Sequence, residues 1–209
     1  MNLLPIIIKI PILKRLIPSI IRSFLILIKY EIFQVRFKNI ILELNIRDPQ
    51  DREILFTQEY EKGQFIYLEE IIEAYNINIF IDIGANSGIY SLIFSKKFRQ
   101  LNIYAIEPIT KTYNKLLRNI NTNNLVDKIT TFNFGLSNKQ ASLNVDTKIK
   151  FGYKQSAGYH VSKKGNETAE FIKGDSIIKY KNKNILIKID TEGHEKFVLL
   201  VFENLILNN

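Results

Sequence analysis

From residue 40 onward, hydrophobic positions switch between unbroken apolar runs and a helical spacing, the pattern of strands alternating with helices. Ile79, Phe80, Ile81 and Ile83 form a run suited to a strand buried on both faces of a parallel sheet. Before it, Leu68, Ile71, Ile72 and Tyr75 recur at helical spacing among glutamates, so residues 68–75 are expected to form a helix with those four side chains inward. After it, a helix starting near Ser87 and running to Phe98 would bury Leu92, Ile93 and Phe94 and place Lys96, Lys97 and Arg99 at its negative end. Residues 102–106, 129–134 and 184–189 read as further strands, and 110–121 as a helix with Leu116, Leu117 and Ile120 inward. Right-handed crossovers then give a doubly wound, mostly parallel α/β sheet whose site lies at the carboxyl ends of its strands. Residues 138–178 break the alternation. Strands at 141–145 and 168–173 flank a stretch rich in Lys, Gly, Ser and Tyr, where Tyr153, Ser156, Tyr159 and His160 are candidate substrate contacts.

The start of the chain follows another pattern. It is apolar, yet its longest uncharged run is Met1 to Ile8, far short of the roughly 20 residues a membrane-spanning helix needs. Pro5, Pro11 and Pro18 punctuate it, so a helix is expected only from Ser19 to Phe37, with Pro18 in its first turn. A strand at 40–44 and a polar joint at 45–53 containing Asp48-Pro49 follow, dividing the chain into an apolar, basic helical segment (1–45) and an α/β domain (46–209). Charge sharpens that division. Of the formal +8, residues 1–40 hold +6, with seven Lys or Arg against Glu31, and the rest of the chain only +2. The domain therefore lacks the basic surface of a nucleic-acid binder. Residues 1–40 suit either an anionic membrane surface or packing on the domain or a second subunit. The absence of cysteine excludes disulfides and thiolate metal sites and fits a cytoplasmic protein, and no basic start, apolar core and cleavage site appear in the order of a signal peptide.

Candidate chemistry gathers at three strand ends. The first is Asp82-Ile-Gly84-Ala-Asn-Ser-Gly88, a strand-turn-helix whose glycines let the backbone turn sharply beside a ligand. Helix amides opening into that turn suit a polar or anionic group. A dinucleotide pyrophosphate turn more often reads Gly-x-Gly-x-x-Gly, and the carboxylate of Asp82 better fits a cationic amino group such as the methionine end of S-adenosylmethionine. The second is Glu107, 23 residues after Gly84, at the spacing where doubly wound folds place an acid on ribose hydroxyls. The third is Asp190-Thr-Glu-Gly-His-Glu195. There Asp190 and His194 can take a proton from an acceptor hydroxyl, His194 being favoured as neutral imidazole in a first helical turn. His194 could equally be a helix-start residue bonded to Asp190. A lone His without Cys makes a metal site the weakest reading.

Asp82-Ile-Gly-Ala-Asn-Ser-Gly-Ile-Tyr-Ser91, Glu107-Pro108, Gly135-Leu-Ser137, Gly174-Asp175 and Ile187-Lys-Ile-Asp-Thr-Glu-Gly-His-Glu195 together resemble the FkbM-type S-adenosylmethionine-dependent methyltransferases, over about residues 54–205. The resemblance implies a class I, Rossmann-like methyltransferase fold, with S-adenosylmethionine held at Asp82, Gly84, Ala85, Asn86, Gly88 and Glu107. It also implies O-methylation of a glycan or similar hydroxylated metabolite, with Asp190, Glu192 and His194 facing the methyl group and the acceptor. Domains of this type continue with further strands past the helix at His194, so the chain is expected to be truncated. The strand at 185–189 would then be an apolar edge covered by a partner, a second copy or the N-terminal segment. Two other classes fit less of the pattern: a nicotinamide-dependent oxidoreductase, and a catalytically inactive, membrane-associated binding module.

Overall fold

The apolar runs assemble into a parallel sheet with core on both faces. The computed structural model describes residues 13–147, 149–150, 153–155, 159–173, 180–202 and 205. Residues 1–12, Ser156, Gly174 and Asp175, all singled out in the sequence, lie outside the described residues. In chain order the elements are α1 (Leu13–Leu27), β1 (Ile32–Phe37), β2 (Ile40–Asn45), α2 (Pro49–Thr57), α3 (Lys62–Ala74), β3 (Ile79–Ile83), α4 (Ile89–Lys97), β4 (Asn102–Ile106) and α5 (Thr110–Thr122). There follow β5 (Ile129–Phe132), β6 (Gly135–Leu136), β7 (Ala141–Asp146), β8 (Ile149–Lys150), β9 (Tyr153–Lys154), β10 (His160–Val161), β11 (Glu167–Ile172), β12 (Ile185–Ile189) and α6 (Glu195–Leu200).

The central sheet runs β12-β3-β4-β5, all parallel, and a second runs β10-β7-β11-β6. Every residue of β3 is buried, and strand parity sends its side chains to opposite faces. Ile79, Ile81 and Ile83 enter a core with Leu136, Val198, Val201 and Phe202. Phe80 enters a larger one with Phe94, Leu116 and Ile120. Each fully buried side chain of this size contributes about 1.5–3 kcal/mol, so β3 anchors both halves. This architecture is the mixed α/β, Rossmann-like arrangement expected from the pattern. After residue 138, β7, β10 and β11 build the second sheet, in which β11 runs parallel to β6 and antiparallel to β7.

The N-terminal region differs from expectation. The helix ends at Leu27, and Ile32–Phe37 is a strand paired antiparallel with β2. Its period is two, since Phe33, Val35 and Phe37 are more buried than Ile32, Gln34 and Arg36. Lys38 at φ 48° turns the hairpin. Pro18 lies inside α1 rather than at its start. Ile21, Leu25 and Ile26 of α1 pack near Ile46 and Phe56, while Leu16, Ile20, Phe24 and Leu27 are exposed. No described helix is long and apolar enough to cross a membrane. The hairpin is not set apart from the domain, because Phe37, Ile40, Leu42 and Leu44 join the same core as Phe80 and Phe94. Tyr75, expected inward, is exposed just past the end of α3.

The polar joint at 45–53 contains a capped helix start instead of a linker. Asp48 accepts the amides of Gln50 and Asp51 at 3.0 and 3.4 Å, and Pro49 fills the first turn of α2. Asn119 of α5 and Asn123, its C-cap, then tie the hairpin down. Their side-chain oxygens accept the amides of Glu43 and Ile41 at 2.8 and 2.9 Å, covering the free edge of β2. The buried Asp51 accepts the Asn45 amide at 2.7 Å and pairs with Lys115 of α5. Removing one partner of such a pair strands a buried charge at a cost of about 3–5 kcal/mol. Lys115→Met is therefore expected to lower the unfolding free energy measured by urea titration by that amount, and Asp51→Asn/Lys115→Met to recover most of it. Equal stability of the single and double variants would show that the pair does not hold α2 to α5.

Candidate active site

The carboxyl ends of β12, β3 and β4 open into one cavity of about 330 Å³. Its floor is the turn Gly84–Ser87, with Glu107 and Pro108 on one side and Asp190, Thr191, Glu192 and His194 on the other. Tyr159, with His160, Val161 and Phe171 of the second sheet, also lines it, as do Gln50, Tyr60 and Glu61 from the N-terminal region.

Gly84 and Gly88 adopt φ values of 76° and 84°, and Asn86 lies in the left-handed region at 51°. A side chain at Gly84 would meet the backbone carbonyl oxygen of Asp190 at 2.0 Å, so β3 and the loop after β12 pass too close for a Cβ. The amides of the turn itself are used within the chain. Gly84 and Ala85 N–H both donate to the Ile106 carbonyl at 2.9 and 3.0 Å, and Gly88 N–H donates to Ala85 at 2.8 Å. Asn86 N–H donates to Glu107 at 2.9 Å. These bonds clamp the turn to β4 and leave side chains to meet a ligand. The Asn86 side-chain nitrogen donates to Gln50 at 2.9 Å, and its carbonyl oxygen is buried at the cavity without a hydrogen-bond partner among the described residues. Such an acceptor suits a ligand that brings a donor.

Glu107 sits where its spacing placed it. It is 3% exposed and takes the amides of Asn86 and Ile109, one on each oxygen, at 2.9 Å. Burial pushes its pKa up to about 7, against the lowering effect of those two amides. Asp82 has a different position. It shares the face of Phe80 rather than that of Ile83, is 1% exposed and is not part of the cavity wall. One oxygen accepts the Ser91 hydroxyl at 2.8 Å, and the other lies 3.7 Å from the Lys188 ammonium. Burial raises its pKa, opposed chiefly by Lys188. Of the two acids expected to share one ligand, only Glu107 therefore lines the cavity directly.

The Asp190–Glu195 loop is folded on itself. The Asp190 amide donates to the Ile83 carbonyl at 3.0 Å, fixing the loop to the end of β3. The Glu195 carboxylate turns back to accept the Gly193 amide at 2.9 Å and the Thr191 hydroxyl at 3.2 Å. Those backbone bonds hold its pKa below the usual carboxylate range. Glu192, at φ 50°, is exposed at the cavity. His194 packs between the rings of Phe171 and Phe197. Its Nε2 lies 3.2 Å from the Ser137 hydroxyl, a partner other than Asp190. Burial lowers its pKa and so favours the neutral ring. Among the described residues no three His, Asp or Glu side chains converge on a metal position.

Of the candidates in the irregular segment, Tyr159 and His160 line the cavity, whereas Tyr153 stacks under Lys111. Tyr159 bonds Thr112 at 3.0 Å. Sequence reasoning missed Gln50, Tyr60, Glu61, Tyr90 and Lys188. The first three come from elements whose contact with the turn has no local signature. Lys188 did leave one: it is the lone charge in Ile-Leu-Ile-Lys-Ile, a strand otherwise apolar. The Tyr60 hydroxyl accepts from Gln50. That of Tyr90 donates to Glu61 and, at 2.9 Å, to Gln64.

A family model described as Vibrio cholerae RfbT protein matches residues 68–206. A ribosomal RNA small subunit methyltransferase G from Malacoplasma penetrans is 28% identical over 107 residues, covering 51% of this chain and 42% of that protein. A methyltransferase, sdnD, from Sordaria araneosa is 36% identical over 89 residues, covering 39% of this chain and 34% of its own length. The chain thus spans less than half the length of these curated relatives. A solved structure from Pyrococcus horikoshii overlaps with a TM-score of 0.37 and 14% identity over 60% of this chain and 50% of its own, too loose a likeness to carry an argument. The family match covers most of the chain, including the glycine turn, Glu107 and the Asp190 loop, and the chain belongs to the Vibrio cholerae RfbT protein family.

Proposed function

We propose that this RfbT family member is an S-adenosylmethionine-dependent O-methyltransferase of the FkbM type, acting on a hydroxyl of a glycan or similar metabolite. One observation carries it: a buried carboxylate, Glu107, faces the same cavity as a glycine turn at the carboxyl ends of parallel strands. That is where doubly wound folds bind an adenosine ribose. The unpartnered Asn86 oxygen adds an acceptor beside it. The likeness to two named methyltransferases supports the same chemistry.

S-adenosylmethionine would supply an electrophilic methyl group on a sulfonium sulfur. In such a transfer the acceptor hydroxyl would give up its proton to the protein. His194 would receive it, its neutral ring favoured by burial and packed against Phe171 and Phe197 with Nε2 3.2 Å from the Ser137 hydroxyl. Asp190 and Glu192, exposed at the same wall, would hold the acceptor by its other hydroxyls. Tyr159 and His160, which also line the cavity, would contact the acceptor.

Calorimetry on the full chain with S-adenosylhomocysteine and with NAD tests the cofactor. Binding of S-adenosylhomocysteine and not NAD is expected, and the reverse would sink the proposal. Radiolabelled methyl transfer to hydroxylated glycans then tests the acceptor, with His194→Gln expected to lower kcat about 10²–10⁴-fold, the usual range for a general base.

A further inference from the structure

The ammonium that the sequence seemed to promise Asp82 from a ligand is already provided by the chain. Lys188 stands opposite Asp82 in the β12–β3 register, so both side chains share one face. Its Nζ lies 3.7 Å from Asp82, 3.3 Å from Asp190 and 4.9 Å from the centre of the Tyr90 ring. The side chain is only 12% exposed, yet it lines the cavity beside Gly84 and Asp190. Burial alone would lower its pKa, but Asp82, Asp190 and Glu61 more than offset this and keep it charged.

Asp82 behind the cavity wall, and Lys188 and Asp190 on it, therefore alternate in sign. A dinucleotide pyrophosphate placed there would meet Asp190, Glu61 and Glu107 with, among the described residues, Lys188 as the one cation to answer them. A zwitterionic α-amino acid end fits the alternation, its carboxylate on Lys188 and its ammonium on Asp190. We infer that Lys188 is the cofactor-binding residue that receives the carboxylate of the amino-acid end of S-adenosylmethionine, with Asp82 as the buried counter-ion that keeps Lys188 in place. This rests on the cofactor proposed above and adds a residue and a ligand group to it.

The probes are S-adenosylhomocysteine, its decarboxylated analogue, and 5′-methylthioadenosine, which lacks the amino-acid end, each titrated into the full chain by calorimetry. The wild type is expected to bind S-adenosylhomocysteine at least about tenfold more tightly than either analogue, the usual yield of one charge-assisted hydrogen bond. Lys188→Met should remove most of that preference and leave 5′-methylthioadenosine affinity unchanged. Because the single variant strands Asp82, Asp82→Asn/Lys188→Met provides a version with neither buried charge, and it should behave alike. Retention of the wild-type preference by the double variant would overturn the assignment. A wild type that binds 5′-methylthioadenosine as well as S-adenosylhomocysteine would also overturn it while leaving the adenosine site standing. Failure of all three probes to bind the wild type would instead bring down the cofactor proposal and the inference with it.

Discussion

Replacing Gly84 with alanine is expected to destabilise the protein by about 2–5 kcal/mol and to abolish ligand binding. Two effects add. At φ 76° an L side chain costs roughly 1–2 kcal/mol. The new Cβ would also lie 2.0 Å from the Asp190 carbonyl oxygen. That oxygen belongs to backbone, so no rotamer change relieves the contact. β12 must move away from β3, and overpacking of this kind typically costs a further 1–3 kcal/mol, roughly, or more. Asp190 and Lys188 travel with β12, so the cavity loses one wall. Gly193→Ala is the control. Gly193 also has positive φ, at 98°, but nothing lies within 4 Å of its would-be Cβ. It should show only the conformational cost. Thermal melts followed by circular dichroism compare the two, and equal losses would mean that β3 and the Asp190 loop do not approach as described.

Glu107→Gln is expected to weaken S-adenosylhomocysteine binding about a hundredfold, since hydrogen bonds to a charged group contribute roughly 1.5–3 kcal/mol each. The substitution keeps the shape but loses the charge that ribose hydroxyls would meet. It also yields a pH signature. The folded-state pKa is raised to about 7, above the unfolded value. Ionising this carboxyl therefore costs the free protein stability as pH rises from about 4.5 to 7, by about 3 kcal/mol in all. Ligand hydroxyls favour the ionised form, so binding releases a proton. Wild-type affinity should then be level above about pH 7 and fall as pH drops through that value. Calorimetry at several pH values measures this, and a wild-type profile as flat as that of Glu107→Gln would remove Glu107 from the ribose.

Strand and helix order was legible because hydrophobic spacing is local. β3, β4, β12, α4 and α5 lie close to where periodicity puts them. Glu107 was legible for the same reason: a strand of fixed length delivers its end to the sheet edge. The N-terminal hairpin was not. Phe33, Val35 and Phe37 alternate, but in a segment apolar throughout their period is masked, and only pairing with β2 and burial against α5 select the strand.

What the sequence determined by itself, then, is the α/β alternation, the left-handed glycine turn and the acid that follows it, all set by the chemistry of short stretches. Tertiary structure decided which of the polar groups face the ligand. Strand parity and register set Asp82 against Lys188 behind the cavity wall, and the hairpin and α2 bring Gln50 to Asn86. Such placements depend on contacts between residues 36 to 106 positions apart, and no local pattern encodes a distance of that kind.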